Sequence, residues 1–184
     1  MKQLAGLFAV TLLCGCVPGP PPAHAHRTPK PPAAIEDGIA VYFSPGGGAL
    51  AAILDEIGHA NQSIDVQAYL ITAEEIVDAL EAAQQRGVRV RIVLDKNNIG
   101  GIYSAAAYLA HTPLPVWRDG RHKDMHDKIM LIDGRTIIAG SFNFTNQSED
   151  LNSENLLIIR DKPRLFAAYL AHFEEHLRHS SPPK

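Results

Sequence analysis

The chain reads as an α/β protein: an α/β/α sandwich built on a mixed, largely parallel sheet. Three observations predict this. Between Ile39 and Leu94, apolar runs of strand length alternate with segments of helical periodicity, the rhythm of crossover units. The apolar runs 129–132 and 136–139 flank Asp133-Gly134, the dipeptide of a tight antiparallel hairpin. A closing segment, 163–178, puts Leu165, Phe166, Tyr169, Leu170, Phe173 and Leu177 on one helical face.

In chain order, residues 1–25 stand apart from the domain. Lys2 gives a basic start, residues 4–13 an apolar stretch, and small residues follow, the layout of a bacterial export signal. That stretch is too short to remain as a spanning helix. Leu13-Cys14-Gly15-Cys16 approximates a lipoprotein box, which would leave a lipidated Cys16 as a membrane tether; Ala23-His24-Ala25 offers an Ala-x-Ala cleavage site instead. Both readings place the protein in the periplasm or cell envelope. Residues 26–37 read as a Pro-rich linker, where His24 and His26 nearby belong to solvated tether. Cys14 and Cys16 are the only cysteines, so the domain expected over 38–184 has neither disulfide nor thiol nucleophile and must rely on its core.

Within that domain, 39–43 is a first strand. Ser44-Pro45-Gly46-Gly47-Gly48 is a turn without the Lys-Ser/Thr of a nucleotide loop, hence backbone punctuation. Residues 49–60 form a helix with Leu50, Ile53, Leu54 and Ile57 inward. A strand at 63–69 leads to a helix capped by Thr72, with Glu75 in capping-box position, ending near 86. The strand 88–94 is apolar apart from Arg91. The loop that follows carries Lys96, Asn97 and Asn98 to the carboxyl end of the sheet, where ligands bind in open α/β folds. A helix at 103–111 and a strand at 114–117 come next. Beyond the hairpin, 147–153 reads as a polar loop and 154–159 as a last strand.

The acidic balance, a formal net charge of −3 at pH 7, leaves no strong footprint for a polyanionic partner and weighs against the nucleic-acid reading. Arg118, Arg121 and Lys123 are diluted by Asp119, Asp124, Asp127 and Asp133, so a nucleic-acid reading rests on a local groove. His122, Asp124 and His126 lack ligand geometry on a strand. His172-Phe-Glu-Glu-His176 lacks the downstream third ligand of an inverted zinc-protease pattern, which makes these surface histidines. No metal and no cofactor is expected.

The stretch from His126 to Asn143 carries the chemistry. It reads His126-x-Lys128-x4-Asp133-x6-Gly140-Ser141-x-Asn143. The hairpin brings its two polar ends together: His126 and Lys128 where one strand begins, Ser141 and Asn143 where its partner ends. A phosphodiester repels anionic nucleophiles, so its cleavage calls for offset charge and a nucleophile active near neutral pH. Lys128, Ser141 and Asn143 can donate to phosphoryl oxygens, and neutral His126 can attack phosphorus. Chance agreement with the whole pattern is on the order of 10⁻⁸ per starting position.

The pattern resembles the signature of the phospholipase D superfamily, whose members cleave or transfer phosphodiesters through a phosphohistidine. One copy in a chain of this length resembles the small bacterial endonuclease branch and the related mitochondrial enzymes. The resemblance spans roughly residues 40–159. It implies a phospholipase D-like fold and a metal-independent phosphodiesterase, an endonuclease-like hydrolase with nucleic acid as substrate and little sequence preference. It also implies a homodimer in which the partner's His126 serves as the acid. An acidic residue after the Asn orients the imidazole in such enzymes, and Glu154 holds the comparable place. Asp133 and Gly140 are expected to be structural. Two rivals stay open: hydrolysis of phospholipid headgroups, and a non-catalytic nucleic-acid-binding module of the envelope.

Overall fold

The computed structural model describes residues 30–99, 109 and 111–182. The export signal, the start of the linker and nearly all of the helix expected at 103–111 lie outside these residues.

The strands are β1 (Ala34–Glu36), β2 (Ile39–Ser44), β3 (Ser63–Ala68), β4 (Arg89–Asp95), β5 (Val116–Asp119), β6 (Lys128–Ile132), β7 (Thr136–Gly140) and β8 (Glu154–Arg160). The helices are α1 (Ala49–His59), α2 (Glu74–Gln85), α3 (Asn146–Asp150) and α4 (Pro163–His179), with a 3-10 turn at Lys96–Ile99. One sheet runs in the order β1-β2-β8-β7-β6-β3-β4-β5. The sheet is mixed, as expected, but it is not largely parallel: among the described strands only β3–β4 and β4–β5 pair in parallel. The two crossovers supply those pairs, while β6–β7 is a hairpin and β8 returns antiparallel between β7 and β2.

Helices cover both faces. On one side Leu50, Ile53 and Ile57 of α1 and Ile76 and Leu80 of α2 pack on Ile64, Val66, Met130, Ile138 and Ile158. On the other, Phe166 and Phe173 of α4 pack on Val93, Leu131, Ile137 and Ile159. Because β6 is covered on both sides, all five of its residues are buried, which explains a continuous apolar run instead of an alternating one. Arg91 has a structural role on the α4 side. Its guanidinium holds buried Asp65 through bonds of 2.7 and 2.9 Å and reaches Glu174 of α4 at 2.7 Å.

The hairpin turn is as the sequence predicts. Asp133 and Gly134 both have positive φ, 52° and 72°, as a type I′ turn requires. Elsewhere the boundaries move. Residues 34–36, expected in the linker, pair with β2 as an exposed edge strand. Thr72 does not cap α2, whose N-cap is Ala73 without a side-chain bond; the Thr72 and Ala73 amides donate instead to the Phe144 carbonyl. Part of the expected polar loop 147–153 is helical, because Thr145 caps α3 by accepting from the Ser148 amide. The strand expected at 114–117 is displaced to Val116–Asp119.

The glycine-rich turn before α1 is punctuation, and the reason is visible. Glu149 of α3 is buried and accepts from the amides of Gly48 and Leu50, both at 2.9 Å. Its carboxylate takes the place at the helix N-terminus that an anion would otherwise occupy.

Candidate active site

Strand register converges on one end of the sheet. Lys128 opens β6 opposite Ala68, the last residue of β3; Gly140 closes β7 opposite Leu156, near the start of β8. Residues i and i+2 of an extended chain point the same way, so His126 and Lys128 project together. The Lys128 Nζ lies 3.0 Å from His126 Nδ1 and donates to the His126 carbonyl at 2.7 Å. His126 is exposed, whereas Lys128 is 5% exposed. Burial pushes the Lys128 ammonium below the usual lysine range, opposed by the nearby charges of Asp127 and Glu154. Tyr69 floors the pair, its ring 4.5 Å from that of His126 and 5.0 Å from Lys128 Nζ.

Ser141 and Glu154 form the opposing side. Ser141 Oγ donates to Glu154 Oε2 at 2.5 Å and accepts from the Asn155 amide at 3.1 Å, while Glu154 Oε1 accepts from Asn152 at 2.9 Å. The bond from Glu154 to His126 that the sequence suggests is therefore absent from this arrangement, and His126 Nδ1 faces Lys128. Sheet order supplies the reason: β8 is separated from β6 by β7, so its first carboxylate meets the end of β7 first. Gly140 lets these strands close up, since a Cβ there would stand 2.3 Å from the Asn155 carbonyl oxygen.

Asn143 rides on the segment after β7, where the Phe144 amide donates to the Leu70 carbonyl just beyond β3. Its side-chain oxygen is buried and has no protein partner, while its amide N–H groups are the donors a phosphoryl oxygen would use. Asp133 sits at the opposite end of the hairpin. Its carboxylate accepts from the amides of Asn61, Gln62 and Ser63 at 2.8–2.9 Å. Burial alone would raise that carboxyl, but the three amides outweigh it and hold it below the usual range. This is the environment of a structural group.

Other expectations change. The side chains of Lys96, Asn97 and Asn98 are spent on the carbonyls of Gly120, Lys123 and Tyr69; they buttress the site more than they line a groove. His122 turns to Asp119 at 3.0 Å, away from any set with Asp124 and His126. His176 is no surface histidine: it is 6% exposed and bonds Asp119 at 2.7 Å. Sequence reasoning also missed Tyr69, Gln67 and Asp127. The Asp127 carboxylate accepts from fully buried Gln67 at 2.7 Å and lies 3.2 Å from His172 Nε2. Nothing local marks Tyr69 or Gln67; only the β3–β6 register brings them beside the motif.

Residues 53–177 match the family described as cardiolipin synthase, PLD-like domain. A Rickettsia felis protein named phospholipase D is 37% identical over 132 residues, 72% of this chain and 66% of that protein. The human protein named mitochondrial cardiolipin hydrolase is 31% identical over 154 residues, 83% of this chain and 60% of its own length. The chain thus spans just under two thirds of these relatives. Among solved structures, Nuc from Salmonella typhimurium, titled a phospholipase D family member, superposes with a TM-score of 0.75 at 37% identity, over 79% of this chain and 97% of that one. NucT from Helicobacter pylori shares the fold, with a TM-score of 0.70 at 21% identity, over 78% and 98% of the two chains.

Proposed function

The chain belongs to the phospholipase D family, and from that premise we propose that it is an exported, metal-independent phosphodiesterase whose substrate is nucleic acid. The observation that carries this reading is the open site: exposed His126 above buried Lys128, at strand ends where a polymer backbone can lie across it. Exposed Ser141 and the half-buried Asn143 amide complete the contacts available to phosphoryl oxygens.

In the proposed reaction a ring nitrogen of His126 attacks phosphorus, a P–N bond forms, and the P–O bond to the leaving strand breaks. Lys128, Ser141 and Asn143 offset the charge on the remaining oxygens. Oxygens that draw Lys128 away from Nδ1 also release the imidazole. They compete with Glu154 for Ser141 Oγ, so Glu154 acts on the site through Ser141 and through its field at Lys128. The leaving oxygen takes a proton from the partner subunit's His126, which then activates water to release the phosphate.

A specific observation favours a second reading. Leu151 and Phe43 are 76% and 55% exposed, the first just before Glu154 and the second paired with Asn155. Apolar side chains beside the site suit a lipid surface, and a lipidated Cys16 would hold the enzyme there. We assign them instead to the subunit contact that a shared site needs.

One side-by-side assay tests the choice. The native chain and His126→Ala are given plasmid DNA, single-stranded RNA and labelled phospholipid in magnesium-free buffer with chelator. Cleavage of a nucleic acid by the native chain alone is expected. Release of headgroup with both nucleic acids intact would select the lipid reading, and cleavage that needs added Mg²⁺ would remove the metal-independent mechanism.

A further inference from the structure

Beneath the last turn of α4 lies a second cluster of functional groups that the proposed phosphodiesterase chemistry does not use. Asp119 ends β5, an edge strand, and is fully buried. Its Oδ1 accepts from the Arg121 amide at 2.9 Å. Its Oδ2 is met by three imidazoles: His176 Nδ1 at 2.7 Å, His122 Nδ1 at 3.0 Å and His179 Nε2 at 3.2 Å. A carboxylate oxygen offers about two lone-pair directions, so three N–H donors on one atom oversubscribe it. Four lone pairs aimed at a common centre do not.

We propose that Asp119, His122, His176 and His179 bind one divalent transition-metal ion, with zinc as the best fit. Three imidazole nitrogens and one carboxylate oxygen form a donor set that zinc takes in closed, four-coordinate sites. All four ligand atoms lie within 4.8 Å of one another. Bonds of about 2.0–2.1 Å in a tetrahedron separate neighbouring ligand atoms by about 3.3 Å, so the Asp119 contacts of 2.7, 3.0 and 3.2 Å would open by about 0.1–0.6 Å. The three rings already surround a shared point, with centroids 4.8, 5.0 and 5.4 Å apart. Spacing agrees: Asp119-x-x-His122 leaves a strand end, and His176-x-x-His179 lies one helical turn apart. Two short-spaced pairs separated by a long stretch are the usual layout of a structural zinc site.

Asp127, His172 and His176 form a neighbouring group. It carries only three ligands, and Asp127 and His172 are substantially exposed. Asp127 and His172 bond each other at 3.2 Å, and the His172 ring lies 4.5 Å from that of His176. His122, with 44% of its side chain exposed, leaves one edge accessible to an incoming ion.

The consequence is structural. The site joins the end of α4 to β5, where Arg118 and Ser181 already exchange backbone bonds at 3.0 Å. It also anchors the segment that leads from β5 to His126. In a fold without cysteines beyond Cys16, such a cross-link does the work of a disulfide.

The test uses the tag-free full chain, stripped of metal and titrated with zinc chloride. Elemental analysis should find one zinc per chain, and saturating zinc should raise the Tm by on the order of 10 °C. Cobalt substitution should give the visible absorption of a tetrahedral site. His122→Gln, at an exposed position, should fold normally by circular dichroism and bind zinc about ten-fold or more weakly, as should His179→Gln. His59→Gln, outside the cluster, should bind as the native chain does. A native chain that takes up no zinc and gains no Tm overturns the proposal, as does undiminished binding by a folded His122→Gln/His179→Gln double variant.

Discussion

The Lys128 ammonium closes a short ring over His126, 3.0 Å from Nδ1 and 2.7 Å from the carbonyl oxygen of the same residue. One ammonium thus ties the imidazole to its own backbone. The arrangement follows from β geometry, since His126 and Lys128 stand two apart at the mouth of β6 and point to one side. The donors that hold the ring are also the donors a phosphate would claim. Substrate arrival and release of the nucleophile are therefore coupled in the proposed mechanism.

His126→Ala should lower turnover on the cleaved substrate by about 10³-fold or more, because among the described residues no other exposed imidazole adjoins Lys128. Its stability should stay within about 0.5 kcal/mol of native, since an exposed side chain contributes little packing. Turnover by stopped-flow or gel assay, paired with a denaturant melt, checks both parts. A folded His126→Ala chain of near-native rate would remove His126 from the mechanism.

Lys128→Ala should lose about 10²–10³-fold in kcat, the usual cost of withdrawing a donor from developing charge. The pH profile adds a sign. Burial disfavours the charged ammonium and lowers its pKa, so activity that depends on the cation should fail, as pH rises, sooner than an ordinary lysine would allow. Lys128→Arg cannot deprotonate in that range, and whatever rate it keeps should lack this alkaline limb. An identical limb in Lys128→Arg would assign it to another group.

Much of this was legible from local chemistry. Asp133-Gly134 named its own turn, because two positive φ angles admit few residue pairs. The helical faces of α1 and α4 followed from apolar spacing, except that Leu165, expected inward on α4, is 41% exposed. What stayed hidden depended on strand order. Arg91 looked like a flaw in an apolar strand until register set it beside Asp65. Glu154 was expected beside His126, and register instead sets its carboxylate against Ser141 Oγ at the end of β7. Asp119 and His176 lie far apart in sequence and meet only because α4 folds back across β5, so neither pair of ligands announced the other.

Asp133→Asn should destabilise the fold by about 1–3 kcal/mol, since an amide cannot accept from all three amides that the carboxylate holds. The Asp133 carboxyl is held below its unfolded value of 3.8. Its contribution is thus complete above that value and is lost as pH falls through the lower folded pKa. The gap in unfolding free energy between native and Asp133→Asn should therefore narrow as pH drops below about 4. A gap that does not change with pH would mean the carboxylate charge contributes nothing at this turn.

The last prediction concerns the second acid. A single His126 must both attack and, in the proposed cycle, receive help from a proton donor, and the chain carries one copy of the motif. Exposed Leu151 and Phe43 beside Glu154 and Asn155 supply apolar surface where a two-fold partner could bring its own His126 close. Two-fold contacts are self-complementary, so native and His126→Ala chains should mix freely once refolded together. If each working site takes one His126 from each subunit, active dimers scale as the square of the native fraction. An equal mixture at fixed total concentration should then keep about a quarter of full activity, against about half for independent sites. Native mass spectrometry on the same mixture would establish that mixed dimers are present. A linear dependence with mixed dimers in hand would end the shared-site mechanism. The proton donor would then have to lie within the chain.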